Sequence, residues 1–451
     1  MNEFLHDAGG TQYSTYSPSP LFTTSKNRGG YVNNTEYTTF QSSNKRFSYT
    51  VLSHSINAGF FISAESTESF YSLLTDATSV TGRFSPPPSW SYTKGAVVGM
   101  QGGTEAVTSK LAKLTAANVP VAGLWIQDWA GRRVDPFGSR ILWNWELDSL
   151  FYPQWGNFLS ELFSRGIRVL TYVNPHFATN VKTLKPHYTR NLFEEAKTRG
   201  FLVTNSSGEP YIQSSASDEF AFGTVDLTNP RANAFFKDVV IKCHMLCQCD
   251  DAHVFWPLID RNSDEQPHDC GNGLTADVAA FGWMADFGEY LPYDVTMSDG
   301  SKGAEMHSAY PPLLADTVSS ALGKENEDVL FFSRAGGLRS GFGGRNGGQF
   351  WAGDQNTEFG DDDGLLSALT AYITGGSSGF TLVHSDIGGY TSIDLEFATE
   401  PPKTIKVART EELLLRWMEM SAFSDCMFRT HEGNQADRQL QVWSSELLSA
   451  R

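Results

Sequence analysis

Short apolar runs alternate with amphipathic stretches between residues 96 and 431, and this alternation limits the fold more than any other feature of the sequence. The apolar runs cover residues 96–101, 121–127, 168–173, 281–286, 329–334, 349–354, 379–384 and 427–431. Amphipathic stretches lie between them, for example at residues 105–118, 158–165, 229–242 and 365–374. Strands that alternate with helices form parallel βαβ units, and about eight such units close into a barrel. We therefore predict an α/β fold, a (β/α)8 TIM barrel.

The first 92 residues differ in composition from the rest. They are rich in Ser, Thr, Tyr and Phe, and polar and apolar residues alternate at residues 46–51. Three prolines at 86–88 precede Trp90 and indicate a stiff linker. We therefore predict a β-rich segment over residues 1–92, a barrel over residues 93–434 and a short tail over residues 435–451.

The chain of 451 residues is acidic, with 51 Asp and Glu against 34 Lys and Arg and a formal net charge of -17. Nucleic acids and anionic membranes are bound by an excess of positive charge, so this balance disfavours both as partners. An anionic small ligand would need a local cationic pocket. No apolar run is long enough to span a membrane, and the first residues lack the pattern of a signal peptide. We expect a cytoplasmic protein.

Four of the five cysteines lie close together, at Cys243, Cys247, Cys249 and Cys270. Their odd total and their crowding in one segment are a poor pattern for a secreted disulfide framework. Histidines lie nearby, but the spacing is not that of a standard structural zinc site, and an exposed irregular loop is the favoured interpretation. We expect no metal and no cofactor.

A polar residue ends nearly every apolar run. These residues are Gln101, Gln127, Asn174, Asp286, Arg334, Asp354, His384 with Asp386, and Arg429 with His431. In a parallel barrel the carboxyl ends of all strands meet at one face, which carries the active site. The repetition around the whole series favours such a site over strands that merely end at the surface.

Two of these strand ends carry aspartates in aromatic surroundings. Asp286 follows Phe281, Trp283 and Met284, and Asp354 follows Trp351. Retaining glycoside hydrolysis uses one ionised carboxylate as nucleophile and one protonated carboxyl as acid, about 5 to 5.5 Å apart. Aromatic faces stack on sugar rings and desolvate carboxyl groups. Asp286 and Asp354 are therefore a candidate catalytic pair, with purely structural aspartates as the alternative.

The sequence resembles glycoside hydrolase family 31, the retaining α-glucosidase family, and within it the sulfoquinovosidase subgroup. The matching segments are QGGTE at 101–105, WIQDW at 125–129, FGSR at 137–140, WNW at 143–145, VDLTNP at 225–230, GWMADFGEYLP at 282–292, WAGDQN at 351–356, HSDIGGY at 384–390 and RTHEGN at 429–434. The resemblance implies an enzyme that releases sulfoquinovose from α-sulfoquinovosyl glycerol and related glycosides. It also implies that the segment 1–92 belongs to a β-sandwich.

The resemblance assigns roles by position. Asp286 matches the nucleophile and Asp354 the acid/base, while Arg334 and His431 match residues that contact the sugar hydroxyls. The signature for a sulfonated sugar falls on Gln101, Gln127, Arg140, Trp143 and Tyr390. Through this resemblance Arg140 and the Trp143 indole would hold the sulfonate, with Tyr390 acting through water. For Arg140 a surface ion pair with Asp135 or Glu146 is the alternative that the residues alone favour.

Gln127 has a physical rationale of its own. Ordinary α-glucosidases of the family carry an aspartate at this position, which binds the 4-hydroxyl of the sugar. A carboxylate there would repel a sulfonate on the neighbouring carbon, whereas glutamine keeps the hydrogen bonding and removes the charge. The predicted substrate is therefore a small sulfonated sugar glycoside.

The sequence departs from the family pattern in three places. A segment near 247–274 looks foreign to the barrel, residues 1–92 resemble only the latter part of the β-sandwich, and from the resemblance we expect the family's C-terminal β-domains to be missing after Asn434. Two alternatives to the sulfoquinovosidase therefore stay open. One is a neutral α-glucosidase, which Gln127 disfavours, and the other is a truncated, non-catalytic sugar-binding fragment.

Overall fold

The computed structural model describes residues 14–43, 46–62, 69–135, 138–215, 217–237, 281–322, 328–336, 348–397, 403–435 and 439–443. The N-terminal part forms small antiparallel sheets, in which β1, β2 and β5 pair in the order β1-β2-β5 and β3 pairs with β4. Its elements are β1 (Leu21–Thr24), β2 (Arg28–Val32), β3 (Thr38–Ser42), β4 (Phe47–Val51), β5 (Ala58–Ile62), α1 (Ser69–Thr81) and α2 (Trp90–Thr93). The alternating stretch at residues 46–51 thus forms β4, while helix α1 was not predicted from the sequence.

Strands and helices then alternate as predicted. The elements between residues 96 and 235 are β6 (Ala96–Gly99), α3 (Thr104–Ala116), β7 (Val121–Trp125), β8 (Arg132–Asp135), β9 (Gly138–Ile141), α4 (Trp155–Ser164), β10 (Arg168–Val173), β11 (His176–Ala178), α5 (Val181–Leu184), α6 (Leu192–Arg199), β12 (Ile212–Ser215), β13 (Ser217–Thr224) and α7 (Pro230–Phe235). A 3-10 turn, Gln127–Ala130, follows β7.

The remaining elements follow after residue 281. They are β14 (Gly282–Ala285), α8 (Gly303–Met306), α9 (Tyr310–Leu322), β15 (Leu330–Ser333), β16 (Gly348–Trp351), α10 (Leu365–Ser377), β17 (Val383–His384), β18 (Ile393–Phe397), β19 (Lys403–Val407) and α11 (Glu411–Ser424).

A curled parallel sheet lies at the centre, with the order β17-β16-β15-β14-β10-β7-β6. All neighbouring strands in it run parallel. Residues 426–430 then hydrogen-bond to both edges: Val97 N–H donates to the Phe428 carbonyl at 2.9 Å, and Ile387 N–H donates to the Arg429 carbonyl at 3.2 Å. The run predicted as a strand at 427–431 therefore contributes only isolated bridges, Arg429 with Val97 at one edge and Thr430 with Ile387 at the other.

The apolar runs are explained by burial on both faces. All four residues of β14, β15 and β16 are buried, since the interior of the sheet packs on one side and helices cover the other. Gly282 has φ +155, and a Cβ there would lie 2.0 Å from the Leu330 carbonyl oxygen. A glycine is therefore required where β14 approaches β15.

Helices α3 and α4 cover the sheet with one apolar face each. In α3 the residues Val107, Leu111 and Leu114 are buried, with the spacing of one helical stripe. The segment near 247–274 and its cysteines lie outside the described residues. Within the described part of the chain, no helix is long and apolar enough to cross a membrane.

Candidate active site

The carboxyl ends of β14, β15 and β16 bring three charged side chains together. Asp286 directly follows β14, Arg334 directly follows β15, and Asp354 comes shortly after β16. Because β15 pairs with both of the other strands in parallel, the three side chains meet at the same edge of the sheet. The predicted convergence of the two aspartates at one mouth agrees with this arrangement, and an arginine lies between them.

Arg334 contacts three carboxylates at once. Its guanidinium lies 3.3 Å from Asp286 Oδ1, 2.9 Å from Asp354 Oδ2 and 2.9 Å from Glu289 Oε1. The side chain is only 2% exposed. Burial would lower the pKa of Arg334, but the three carboxylates outweigh it and hold the pKa well above its usual value. The arginine therefore stays charged and holds both aspartates in place.

Asp286 is oriented by donors from its own strand end and from β10. The Tyr172 hydroxyl donates to Oδ2 at 2.5 Å, and the Phe287 backbone N–H donates to Oδ1 at 2.7 Å. Burial and the Asp286 carboxylate raise the pKa of Tyr172 well above its usual value, so its hydroxyl stays protonated and acts as the donor. Asn174 in turn donates to the Tyr172 oxygen at 3.2 Å. Asp286 is thus a carboxylate with a fixed rotamer.

The turn after Asp286 has an unusual backbone. Phe287 has φ +63, a left-handed conformation that is rare for a bulky residue, and Gly288 follows with φ +111. This turn places the Phe287 ring 4.7 Å from the Arg334 guanidinium and 5.1 Å from the Trp143 ring. Phe287 therefore connects the carboxylate cluster to the region around Trp143.

Asp354 has the pKa expected of an acid that is protonated near neutrality. Desolvation raises the pKa of Asp354 to about 7; Arg334 acts to lower it, and the neighbouring charges of Asp286 and Asp386 raise it further. Carboxyl groups with such values serve as general acids at neutral pH.

Tyr16, from the N-terminal part, packs beside Asp354. Its ring lies 4.4 Å from the Arg334 guanidinium. It also lies directly against Gly353, where an added Cβ would come within 2.4 Å of the Tyr16 ring and where φ is +104. The residue before Asp354 is therefore restricted to glycine by its own backbone and by Tyr16.

His431 lies at the same edge in a defined tautomer. Its Nδ1 accepts the Gly433 backbone N–H at 2.7 Å. Burial, with help from Arg429 and Arg409, holds the pKa of His431 well below its usual value, so the ring is neutral and carries its proton on Nε2. Nε2 is thus the donor that His431 can offer to a ligand.

Tyr390 connects His431 to Arg140. The Tyr390 and His431 rings are 4.7 Å apart. Burial raises the pKa of Tyr390 to about 12; the charge of Arg140 acts to lower it, and those of Asp354 and Asp286 act to raise it. Tyr390 therefore lies within electrostatic range of both the candidate sulfonate ligand and the carboxylate pair.

Arg140 and Trp143 lie on and just after the hairpin of β8 and β9. Arg140 pairs across the hairpin with Arg133, so both side chains emerge on one face. The Trp143 ring packs 4.8 to 5.3 Å from Phe222, Phe220, Phe287 and His176. Burial lowers the pKa of His176 to about 3, so this ring is neutral. Trp143 thus has a rigid aromatic surrounding.

Gln101 and Gln127 follow the neighbouring strands β6 and β7 at the same edge. They are 4% and 8% exposed. The Gln101 side-chain oxygen accepts from Arg132 Nη2 at 3.3 Å. The structure therefore places all nine sequence-predicted residues at the carboxyl edge of the sheet or in the loops beside it.

A model of the glycosyl hydrolases family 31 TIM-barrel domain matches residues 85–450. The chain belongs to glycoside hydrolase family 31. The predicted TIM-barrel class and the family resemblance are thereby confirmed. Because the match begins just before β6, the family domain contains the whole curled sheet and all nine candidate residues.

Two curated relatives are sulfoquinovosidases. The protein from Escherichia coli K12 is 36% identical over 431 residues, which cover 95% of this chain and 55% of that protein. The protein from Agrobacterium fabrum is 33% identical over 449 residues, covering 98% of this chain and 58% of that protein. A solved family 31 sulfoquinovosidase from E. rectale, in complex with an aza-sugar inhibitor, superposes with a TM-score of 0.79 at 32% identity, covering 97% of this chain and 57% of that one. This chain spans little more than half the length of each of these three relatives.

Sequence reasoning missed several residues of the site. Glu289 lies in the matched segment 282–292 and could have been found there, since it follows Asp286 by three positions. Tyr172 and His176 belong to or follow a predicted strand, but nothing in the sequence indicates their partners. Tyr16 gave no signal, because it is separated from Asp354 by most of the chain. Among the described residues, no cluster of His, Cys, Asp and Glu is arranged to hold a metal ion.

Proposed function

We propose that this chain is the catalytic part of a retaining α-glycoside hydrolase that cleaves α-sulfoquinovosides and releases sulfoquinovose. The observation that carries the proposal is the pair of aspartates, Asp286 and Asp354, joined by one buried guanidinium at the edge of the sheet. The sulfoquinovosidase relatives, similar over most of this chain, support the choice of substrate.

Asp286 is the proposed nucleophile. Its carboxylate attacks the anomeric carbon and forms a covalent glycosyl-enzyme intermediate while the bond to the leaving oxygen breaks. The Tyr172 hydroxyl and the Phe287 N–H each donate a hydrogen bond to one oxygen of the Asp286 carboxylate. These two bonds fix the orientation of the carboxylate and therefore the direction of its attack. Such pre-orientation lowers the entropic part of the barrier.

Asp354 is the proposed acid and base. With a pKa of about 7 it is substantially protonated at neutral pH and can give its proton to the leaving oxygen. The resulting carboxylate then takes a proton from the water that hydrolyses the intermediate and restores Asp286. Arg334 contacts Asp354 at 2.9 Å and stabilises the ionised form between the two steps.

The sulfonate is proposed to lie on the side of Arg140, Trp143 and Tyr390. The chain as a whole is acidic, but the hairpin of β8 and β9 carries three arginines, Arg132, Arg133 and Arg140, against one aspartate, Asp135, and is therefore locally cationic. Gln127 presents a neutral amide where a carboxylate would repel the anion. Trp143 is positioned for an indole N–H hydrogen bond by its aromatic neighbours.

The organisation around the site is also a proposal. Residues 93–434 would form the catalytic barrel, and residues 1–92 would be part of a β-sandwich-like segment, supported by the antiparallel pairs β1-β2-β5 and β3-β4. The partner is a small sulfonated glycoside, and neither nucleic acid nor membrane is expected to bind the acidic surface.

The test is hydrolysis of nitrophenyl α-sulfoquinovoside beside the matched α-glucoside, with NMR of the first product. We expect release of nitrophenol from the sulfonated substrate at least about tenfold faster and an α-configured initial product. Preference for the glucoside would support the neutral α-glucosidase, and binding of sulfoquinovose without turnover would support the sugar-binding fragment. A β-configured initial product would contradict the roles of Asp286 and Asp354.

A further inference from the structure

Gln101 is held from two sides by basic residues. Lys110 of α3 donates to the Gln101 main-chain oxygen at 2.7 Å. Arg132 Nη2 at the start of β8 donates to the Gln101 side-chain oxygen at 3.3 Å. The first contact fixes the backbone of Gln101 and the second fixes the rotation of its amide.

The chemistry of the guanidinium decides which end of the amide faces Arg132. An arginine only donates hydrogen bonds, so the amide atom beside it must be the oxygen. The amide nitrogen with its two N–H groups is then the end that faces away from Arg132. A side chain held in this way offers donors to a ligand, and donors suit the oxygens of a sulfonate or a sugar hydroxyl.

Arg132 is itself fixed by a buried acid. Its Nε lies 2.6 Å from Asp128 Oδ2, and Asp128 is fully buried. The Gly102 N–H donates to the same oxygen at 3.0 Å, and the Tyr152 hydroxyl donates to the other. Burial, followed by the charge of Asp128, raises the pKa of Tyr152 well above its usual value, so Tyr152 remains a donor. These contacts hold the Asp128 carboxylate in one orientation, and the ion pair with Asp128 in turn fixes the position of the Arg132 guanidinium.

We infer that the Asp128–Arg132 pair is a positioning device for Gln101, which fixes its amide with the N–H groups toward the sulfonated sugar. Neither residue is required to touch the sugar. The inference rests on the proposed function, because Gln101 must be a sugar contact for its orientation to matter. Without Arg132 the amide is free to turn its oxygen toward the ligand. The amide oxygen would then face a sugar or sulfonate oxygen, and two acceptors form no hydrogen bond. Specificity for an anionic, acceptor-rich sugar would then fall.

The test is calorimetric binding of sulfoquinovose to the full chain and to three variants: Gln101→Ala, Arg132→Met and the double variant. We expect each single variant to weaken binding by roughly tenfold, the effect of one lost hydrogen bond. The double variant should bind within about twofold of Gln101→Ala, because Arg132 acts only through Gln101. Arg132→Lys, which keeps the charge beside Asp128, should recover part of the affinity.

A matched control is Arg165→Met. Arg165 forms an i,i+4 pair with Glu161 on an exposed helix face, as Arg132 does with Asp128 in the interior. It should leave binding unchanged, and melting temperatures should show that all variants are folded. If Gln101→Ala weakens binding but Arg132→Met does not, or if the two losses multiply in the double variant, the positioning role is wrong and the proposed function stands. If the parent chain does not bind sulfoquinovose, or Gln101→Ala binds it as tightly as the parent, the substrate assignment is wrong and the inference is overturned with it.

Discussion

The two halves of the candidate site neutralise charge in opposite ways. At the ends of β14, β15 and β16, one arginine faces the three carboxylates of Asp286, Glu289 and Asp354, so the half that would perform chemistry carries a negative excess. Around β7 and the β8–β9 hairpin, residues 127–141 hold three arginines and two aspartates, of which Asp128 pairs with Arg132, so the half that would bind the sulfonate carries a small positive excess. Under the proposed function, one pocket would hold an anionic substrate and keep a carboxylate ready to attack, because the two kinds of charge lie on different strands.

Phe287 lies between the two halves of the candidate site and contacts both. Its ring contacts Arg334 on one side and Trp143 on the other. The left-handed backbone of this residue has an energetic cost, which the surrounding contacts must offset. The following predictions test whether the two halves are as separate as the structure implies.

The largest effect is expected for Asp286→Ala. Removal of the proposed nucleophile should lower kcat on nitrophenyl α-sulfoquinovoside by about 10^4-fold or more, comparable to other losses of a nucleophile. Binding of sulfoquinovose should persist, since the other half of the site is intact. Initial rates and calorimetry measure the two effects. The control is Asp294→Asn, an acid of the following loop that accepts a hydrogen bond from Tyr211. An active Asp286→Ala variant would exclude the assignment.

The loss of activity in Asp354→Asn should depend on the leaving group of the substrate. On sulfoquinovosyl glycerol, whose leaving oxygen needs a proton, we expect a loss of about 10^2 to 10^4-fold in kcat/KM. On a dinitrophenyl glycoside the loss should be far smaller in the first step. Because the acid must be protonated and its pKa is about 7, the rate of the parent enzyme should fall as pH rises through 7. That basic limb should disappear in the variant, and an equal loss on both substrates would contradict acid catalysis.

Arg140→Met tests the binding half. A charge-assisted hydrogen bond contributes about 1.5 to 3 kcal/mol, so kcat/KM for the sulfonated substrate should fall roughly tenfold to a hundredfold while the glucoside is nearly unaffected. Gln127→Asp should shift selectivity in the same direction. Kinetics on both glycosides measure the ratio. Arg416→Met, on the exposed face of α11, is the control. Equal losses on both substrates would make Arg140 a structural residue.

The smallest effect is expected for Tyr16→Ala. Loss of the ring would admit water to Asp354 and Arg334, lower the pKa of Asp354 toward its ordinary value and move the basic limb to lower pH. The accompanying loss of activity on sulfoquinovosyl glycerol should be about tenfold, in line with partial loss of general acid catalysis. Tyr16→Phe keeps the ring and should behave like the parent. If the pH–rate profile of Tyr16→Ala is identical to that of the parent, Tyr16 does not influence the pKa of Asp354.

The candidate catalytic pair could be proposed from the sequence, whereas most of the residues that contact it could not. Asp286 and Asp354 directly end or closely follow apolar runs, and strand ends in a parallel barrel share one face. Glu289 was within reach of the same reasoning. Tyr172 was not, since its strand residue gives no sign that its hydroxyl donates to Asp286. The eighth run, at residues 427–431, is predicted as a strand but forms only isolated bridges. An apolar pattern indicates that a segment is buried, but it does not determine how many backbone hydrogen bonds the segment forms with its neighbours.

The sequence by itself determined the alternating architecture and the chemical character of the site. Strands buried on both faces must be apolar throughout, so the runs are visible without a structure. The absence of a charge at Gln127 is likewise evident from the residue type alone. Only the tertiary structure decided that Arg334 joins three carboxylates, that Tyr16 packs against Gly353 and that Arg132 fixes the amide of Gln101. Each of these depends on distances between residues remote in the chain or on the rotation of one side chain, and neither quantity is written in local sequence periodicity.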